Sequence, residues 1–309
     1  MHNLSRQRGS AIIIALFVMS LAAAAATVML TRARVDVQRT QLILNADQAN
    51  LYAQGSLDWA IDQLKNDVLQ KKPHQLIDIL PMKSKTDNIN GFQINSTIED
   101  MQALFNINNV KDPDYQKNFL RLMHAIIPQL NLADLMHIVV ATHDWVAAAN
   151  SDELENYYPK LNPPYRAPHL PMVSVSEWRL VKGVTPEIYN KVSPFLTALP
   201  ETTPLNVNTA PMIVFASLNP QLNNKEALHA IDVKRRQTPF VTPEDFLNFD
   251  IVKNNPVTPS QITVESSYFL VKTSVKVSHQ ETVLYTLLLR VMKDSKPDVT
   301  QLWQTKGTL

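Results

Sequence analysis

The chain contains no cysteine and only five glycines in 309 residues. Without thiols there is no disulfide staple, no zinc–thiolate centre and no thiol nucleophile, although the compartment stays open. With few glycines there are few loops in which backbone amides can cradle a phosphate. No Walker loop, dinucleotide fingerprint or G-x-S-x-G elbow occurs. Neither sign of charge is in excess, since 29 Lys+Arg stand against 28 Asp+Glu and leave a formal charge of +1. Such a chain has no global electrostatic footprint for nucleic acid. What is present, 45% apolar and 18% charged residues, is the composition of a folded protein long enough to bury a sizeable core. The 20 prolines cluster between about 159 and 259, which predicts short helices with rigid joints there.

The N-terminus carries the strongest pattern. A short polar, basic stretch with Arg6 and Arg8 runs to Gly9. An apolar run follows from Ala11 to Leu30, broken only by Ser20 and Thr27 and closed by Arg32 and Arg34. About 20 apolar residues in a helix cross the hydrocarbon core of a bilayer. Hydropathy alone leaves three readings: a simple anchor, a secretory signal cut near Ala22–Ala26, or a pilin-like leader cut after Gly9 with the helix retained. There is no glycine or proline between Ser10 and Gln54. Past the apolar run, Leu42, Ala46, Ala49, Ala53, Leu57, Ala60, Leu64 and Val68 recur at helical spacing. Ser10 to about Leu69 therefore reads as one helix of roughly 90 Å, ended by Pro73. A removed signal would waste that continuity.

The run Arg6-Gln7-Arg8-Gly9-Ser10-Ala11-Ile12-Ile13-Ile14 resembles the leader and first helix of type IV pilin-like proteins. The resemblance implies a prepilin peptidase that cuts after Gly9 and methylates Ser10. Most pilins carry a glutamate four residues after that new N-terminus, where this chain has Ile14. In the family the glutamate neutralises a neighbour's terminal ammonium inside the membrane, where an unpaired charge is costly. The K-type minor pseudopilin of type II secretion systems is the family member known for this absence.

Between about Asp100 and Pro256 the pattern is helical, proline-punctuated and poor in strand signals. Asp112-Pro113-Asp114 reads as a helix start ahead of the amphipathic stretches Tyr115–Ile127 and Leu132–Trp145. Ser174-Val175-Ser176-Glu177 reads as a capping box before Trp178. Phe105-Asn106-Ile107-Asn108-Asn109, Lys182-Gly183-Val184-Thr185-Pro186-Glu187 and Pro204-Leu205-Asn206-Val207-Asn208-Thr209-Ala210-Pro211 complete an ordered series. That series resembles the large helical insertion of K-type pseudopilins, whose two halves are SAM-like or helix-hairpin-helix-like bundles. The stretch from Asn206 to Phe246 also has a rival reading as a DNA-binding helix-hairpin-helix module. Against it, the place of the glycine-rich hairpin is taken by Leu218-Asn219-Pro220-Gln221-Leu222, and proline offers no N–H. Lys234-Arg235-Arg236 is too short a cluster to separate a DNA contact from a solvated helix face.

K-type relatives carry an acidic loop after an aspartate–tryptophan pair, and the resemblance implies calcium there. Calcium takes six to eight oxygens. This chain offers Asp144, Asp152, Glu153 and Glu155, with Ala147 and Ala149 where relatives tend to carry further aspartates. His137 and His143 invite zinc with Asp134 or Asp144. Their spacing of six does not share a helical face, and the bland reading is a structural or surface role. No nucleophile–base pattern is visible, so no enzymatic activity is expected.

Gly91–Ile98 alternates apolar and polar residues as a half-buried strand does. Tyr268–Val277 and Thr282–Met292 are longer strand candidates, with His279-Gln280 at their turn. The expected fold class is α+β: a pilin-like N-terminal helix packed on a small antiparallel sheet, carrying an inserted all-α domain. The expected layout is a leader (1–9), a transmembrane helix (10–31), periplasmic helix and first strands (32–100), an inserted helical domain (101–256), C-terminal strands (257–293) and a polar, mobile tail (294–309) with Trp303. The resemblance implies a minor pseudopilin at the tip of the pseudopilus, which initiates assembly and caps the filament. Its implied partners are the I, J and H minor pseudopilins, the major pseudopilin and the prepilin peptidase, with no nucleic acid. The implied location is the bacterial inner membrane, single-pass, with a periplasmic head. The alternative from another class is a membrane-tethered periplasmic DNA-binding protein.

Overall fold

The computed structural model describes residues 5–69, 83–147, 156–294 and 296–307. A single helix, α1, runs from Ser5 to Leu69, about 95 Å at 1.5 Å per residue. Pro73 lies outside the described residues. The expected stripe is half realised. Ala49, Ala53, Leu57, Ala60 and Leu64 are buried, whereas Leu42, two turns nearer the N-terminus than Ala49, is exposed. Burial thus begins where the helix meets a sheet, and the alanines let backbone and sheet approach closely.

That sheet joins β1 (Lys83–Ile89), β2 (Phe92–Asp100), β7 (Tyr268–Val277), β8 (Gln280–Lys293) and β9 (Lys296–Lys306) in that order and is antiparallel throughout. Strand β1 (Lys83–Ile89) and β2 (Phe92–Asp100) are joined by Asn90-Gly91, both at positive φ (52° and 84°). This is the turn that asparagine–glycine pairs favour, because glycine and asparagine tolerate left-handed backbone. Strand β2 alternates as expected and buries Phe92, Ile94, Ser96, Ile98 and Asp100. Against α1 the sheet sets two apolar clusters. One joins Ala49 and Ala53 to Phe92, Ile94, Val275 and Leu284. The other joins Leu57, Ala60 and Leu64 to Ile98, Phe269, Val271 and Leu288.

Between the paired residues Asp100 and Phe269 the chain makes its excursion into a helical head. The first half of the head holds β3 (Phe105–Asn106), α2 (Pro113–Ile126), α3 (Leu132–Val146) and β4 (Leu196–Thr197). The expected starts are realised. Asp112 caps α2 with Pro113 at its first turn, and Ser174 and Glu177 form the full capping box ahead of Trp178. Gly183 sits at φ 88°, and a Cβ there would meet Ile138 at 3.0 Å, so only glycine fits. The second half holds β5 (Leu205–Asn206), the helix Lys225–Gln237 and β6 (Ile262–Thr263). Both halves share one apolar core that runs from Phe105 to Val264.

The structure corrects the sequence reading in several places. The insertion does not end at 256, because Val257, Ile262 and Val264 belong to the head's core and β6 pairs with β5. The head, expected to be poor in strands, contains two short parallel pairs, β3 with β4 and β5 with β6. Strands β7 (Tyr268–Val277) and β8 (Gln280–Lys293) turn at Ser278-His279, so Gln280 is already in the ladder. From 296 to 306 the expected mobile tail is a strand. Lys296–Lys306 forms β9, an edge strand on β8. Its Val299 packs on the α1 cluster and its Trp303 on Leu199, Tyr268 and Leu287. Its polarity is that of an edge strand, which faces water on its open side.

Candidate functional site

The sequence singled out α1, and the structure divides it. From Ala11 to Leu44 every side chain is exposed, including Ile12, Ile13, Ile14, Leu16 and Phe17. An 18-residue window near the N-terminus has a mean hydropathy of 2.5 and no burial inside the protein. The interruptions in this apolar stretch satisfy themselves. The hydroxyls of Ser20, Thr27 and Thr31 donate to the carbonyls of Phe17, Ala23 and Thr27, as polar side chains in a lipid-facing helix must. Gly9 and Ser10 lie in the helix, and Ile14 places no carboxylate in it. Farther along, Gly55 is an exposed interior position, and a Cβ there would meet nothing within 4 Å. A helix-interior glycine costs about 0.5–1 kcal/mol relative to alanine, and nothing in this chain requires it.

The head is fastened to the sheet through Asp100, the last residue of β2, which is buried. Its carboxylate accepts from the Gln102 amide (2.9 Å), Thr209 Oγ1 (2.6 Å), Ser266 Oγ (2.7 Å) and Asn206 Nδ2 (3.1 Å). Burial pushes the carboxyl above its usual range, against the pull of these four donors. One carboxylate thereby ties β2, the second half of the head and the entry to β7. Arg290 on β8 reaches the same corner, donating to the Leu64 carbonyl of α1 and the Ser266 carbonyl and lying 4.6 Å over the Phe269 ring.

Inside the head, two asparagine clamps do corresponding work. Asn108 donates to the carbonyls of Met172 and Leu199 and accepts from the Met172 amide. Asn208 donates to the carbonyls of Phe240 and Val264 and accepts from the Phe240 amide. Both side chains are buried, and each satisfies backbone groups of loops that have no sheet to join.

A family model described as "Type II secretion system (T2SS), protein K" matches residues 103–201, the first half of the head. Type II secretion system protein K of Klebsiella pneumoniae is 30% identical over 221 residues, covering 66% of this chain and 67% of that one. The chain belongs to the type II secretion system protein K family. The family member from Pectobacterium carotovorum is 27% identical over 91% of this chain and 93% of its own. A solved structure, the GspK-GspI-GspJ complex from the type 2 secretion system of enterotoxigenic Escherichia coli, contains a chain with the same fold. That chain is 19% identical, has a TM-score of 0.73, and matches over 88% of this chain and all of its own length. The K-family layout of helix, sheet and inserted head is thus the one described above.

The other predicted site residues are not brought together. Asp144 is buried near the end of α3, with His169 Nδ1 2.7 Å from its carbonyl oxygen. Asp152, Glu153 and Glu155, the rest of the calcium set, lie outside the described residues. Among the described residues no group of three or more His, Asp or Glu is placed to hold a metal. One carboxylate does not make the six-to-eight-oxygen shell of calcium, so no role is derived through that ion. His143 Nδ1 lies 3.0 Å from the Val110 carbonyl, and His137 and Asp134 are exposed on α3. The zinc set therefore does not converge.

The basic cluster is occupied within the chain. Lys234 donates to the Thr238 carbonyl. Arg235 is buried, donating to the Ala210 carbonyl and, with two of its nitrogens, to Asp232. Arg236 donates to Asp232 as well. Burial alone would raise the Asp232 carboxyl, but the two guanidiniums hold it below the usual range. Asp232 offsets one of the three charges and Arg235 is withdrawn from the surface, so the cluster does not present three free cations to a phosphate. Sequence reasoning missed Asp100 and both clamps. Their signal was present as Asn-x-Asn at 106–108 and again at 206–208.

Proposed function

We propose that the protein is a minor pseudopilin at the tip of the type II secretion pseudopilus, where it initiates assembly and caps the filament during export across the outer membrane. The observation that carries this reading is α1. Its N-terminal half is bare and carries the apolar segment, and its C-terminal half packs one face on the sheet from which the bulky head extends. A bare apolar helix supports insertion into the inner membrane, with the head in the periplasm. A wide head supports a place above which nothing stacks. Ile14 adds an independent argument. A subunit without a carboxylate there cannot answer the terminal ammonium of a neighbour, and an uncompensated charge in lipid is costly. The tip is the place where no such answer is needed.

In this reading the prepilin peptidase cuts after Gly9 and methylates Ser10. The partners are the I, J and H minor pseudopilins and the major pseudopilin, and the protein catalyses nothing. The K–I–J composition of the structurally similar complex supports the first two partners. The test is to mix the soluble portion with the I- and J-type subunits and measure co-elution, then label overproduced pseudopili with immunogold. Co-elution with label confined to filament ends is expected. Label spread along the shaft would remove the tip assignment.

A further inference from the structure

The face of the sheet turned away from α1 meets the first half of the head in a cleft of about 290 Å³. The floor of the cleft is one rung of the ladder. Glu99 pairs with Leu270, Leu270 with Leu287, and Leu287 with Trp303. Their chain neighbours Ile98, Val271 and Leu288 belong to the α1 cluster on the other face. Four strands at about 4.8 Å spacing make a trough of roughly 14 Å, with a carboxylate at one end and an indole at the other. The head supplies the facing wall, which includes Thr197 of β4 and Val173.

The lining says what would fill the trough. Among the described residues around it, Glu99 is the only charged one. Burial pushes its carboxyl above the usual range, and the Lys272 ammonium, which pulls the other way, does not cancel the rise. Lys272 itself is exposed and lies over the Tyr285 ring. In the wall, Thr197 is 1% exposed, and its hydroxyl has no hydrogen-bond partner among the described residues. A buried hydroxyl in that state is costly. Val173 is 67% exposed, and Leu170 shortly before it is 63% exposed.

We infer that the cleft docks an extended segment of a partner protein through an arginine that reaches the Glu99 carboxylate. An apolar side chain two residues from that arginine lies over Leu270, Leu287 and Trp303, and a polar hydrogen of the segment meets Thr197 Oγ1. Side chains two apart in an extended chain share one side and stand about 7 Å from each other, so the pair fits within the trough. A guanidinium suits the half-buried carboxylate better than an ammonium, because it is more weakly hydrated and offers a planar fork of donors. The apolar rim selects a polypeptide over a free polyamine, which would leave Val173 bare. The inference does not depend on the tip assignment.

The test follows the Trp303 indole N–H resonance in the full-length chain in detergent micelles, assigned with Trp303→Phe. The probe is the peptide acetyl-Ser-Leu-Ser-Arg-Ser amide. A saturable shift is expected. Binding should be at least tenfold weaker with citrulline in place of the arginine, and at least threefold weaker with serine in place of the leucine. Glu99→Gln should weaken the arginine peptide at least tenfold and bring it level with the citrulline peptide. Thr197→Val should weaken it at least threefold. Glu187→Gln, which removes a surface carboxylate bonded to Lys191, should change nothing. Unchanged Trp145 and Trp178 resonances report that each variant is folded, and the peptide comparisons on the unaltered chain decide even if one is not. Equal binding of the arginine and citrulline peptides would overturn the inference, as would spermidine shifting Trp303 as strongly as the peptide. Undiminished binding in folded Glu99→Gln, or no saturable shift up to about 10 mM peptide, would also overturn it.

Discussion

Asn106 and Asn206 occupy the same place in two copies of one local design, and their side-chain amides part company there. Each ends a two-residue parallel strand and caps the turn that follows by accepting from the amide two residues on. Each is followed by a clamp, Asn108 or Asn208, that holds Met172 or Phe240, the residue after Pro171 or Pro239. Two residues later a capping box begins, Ser174 with Glu177 or Thr242 with Asp245, and its carboxylate also takes the amide before the cap. A buried aromatic, Trp178 or Phe246, comes next. The difference lies in what the first asparagine holds. Asn106 Nδ2 donates to the Glu201 carbonyl and Thr203 Oγ1, neutral groups of its own domain. Asn206 Nδ2 donates to the Asp100 carboxylate and to Ser266. Asn109 holds Thr203 by two bonds, where its counterpart Thr209 turns to Asp100. One copy closes on itself, and the other is turned outward to fasten the head to the pilin-like sheet.

The largest effects should come where the copies agree. Asn108→Ala and Asn208→Ala each leave three buried backbone bonds unmade, and each should cost about 3–5 kcal/mol. Tryptophan fluorescence in denaturant would follow the first half through Trp145 and Trp178, and hydrogen exchange would follow the second. A small cost in either copy would break the correspondence. Asp100→Ala comes next, at about 2–4 kcal/mol, because it orphans donors from both sides of the junction. Limited proteolysis and hydrogen exchange should place its effect in the second half and at the start of β7. Protection lost first around Phe119 and Trp178 would mean that the outward copy is not the fastening one.

Asp100→Asn should cost less, about 1–3 kcal/mol. Its NH2 meets the Asn206 amide as a second donor, but it removes a charge that burial disfavours. The smallest effect is in pH. The Asp100 carboxyl is raised in the folded state, so the folded protein binds more protons between the ordinary aspartate range and the raised value. Stability from this group is therefore full below the ordinary range, falls as pH rises through the raised value, and is flat above it. Wild type compared with Asp100→Asn across mild acid should show that slope in the difference. The opposite slope would mean that the four donors outweigh burial.

Much of the fold could be read directly. The long helix followed from an unbroken apolar run passing into a three–four repeat, and the starts at Asp112 and Ser174 followed from capping chemistry. Strand β1, Lys-Ser-Lys-Thr-Asp-Asn-Ile, was missed because an edge strand has no apolar alternation. The Asn90-Gly91 turn after it was the signal that could have found it. Strand β9 was missed for the same reason. Asn206-Val207-Asn208 fits the inserted helical series and the rival DNA-binding module alike, since sequence cannot say whether an asparagine turns to a phosphate or to its own backbone.

By itself the sequence determined what depends on neighbours along the chain: the apolar length of α1, its helical period, the caps, and the absence of thiols and phosphate loops. Only the tertiary structure decided where α1 stops being bare, that the head extends to Val264, that residues 296–306 are a strand, and that Asp100 is a buried junction. Each of these depends on residues far apart in sequence meeting across the sheet or the core. Glu201 and Asp100 look alike in a string of letters, and only burial beside Asn206, Thr209 and Ser266 makes one of them the fastening point.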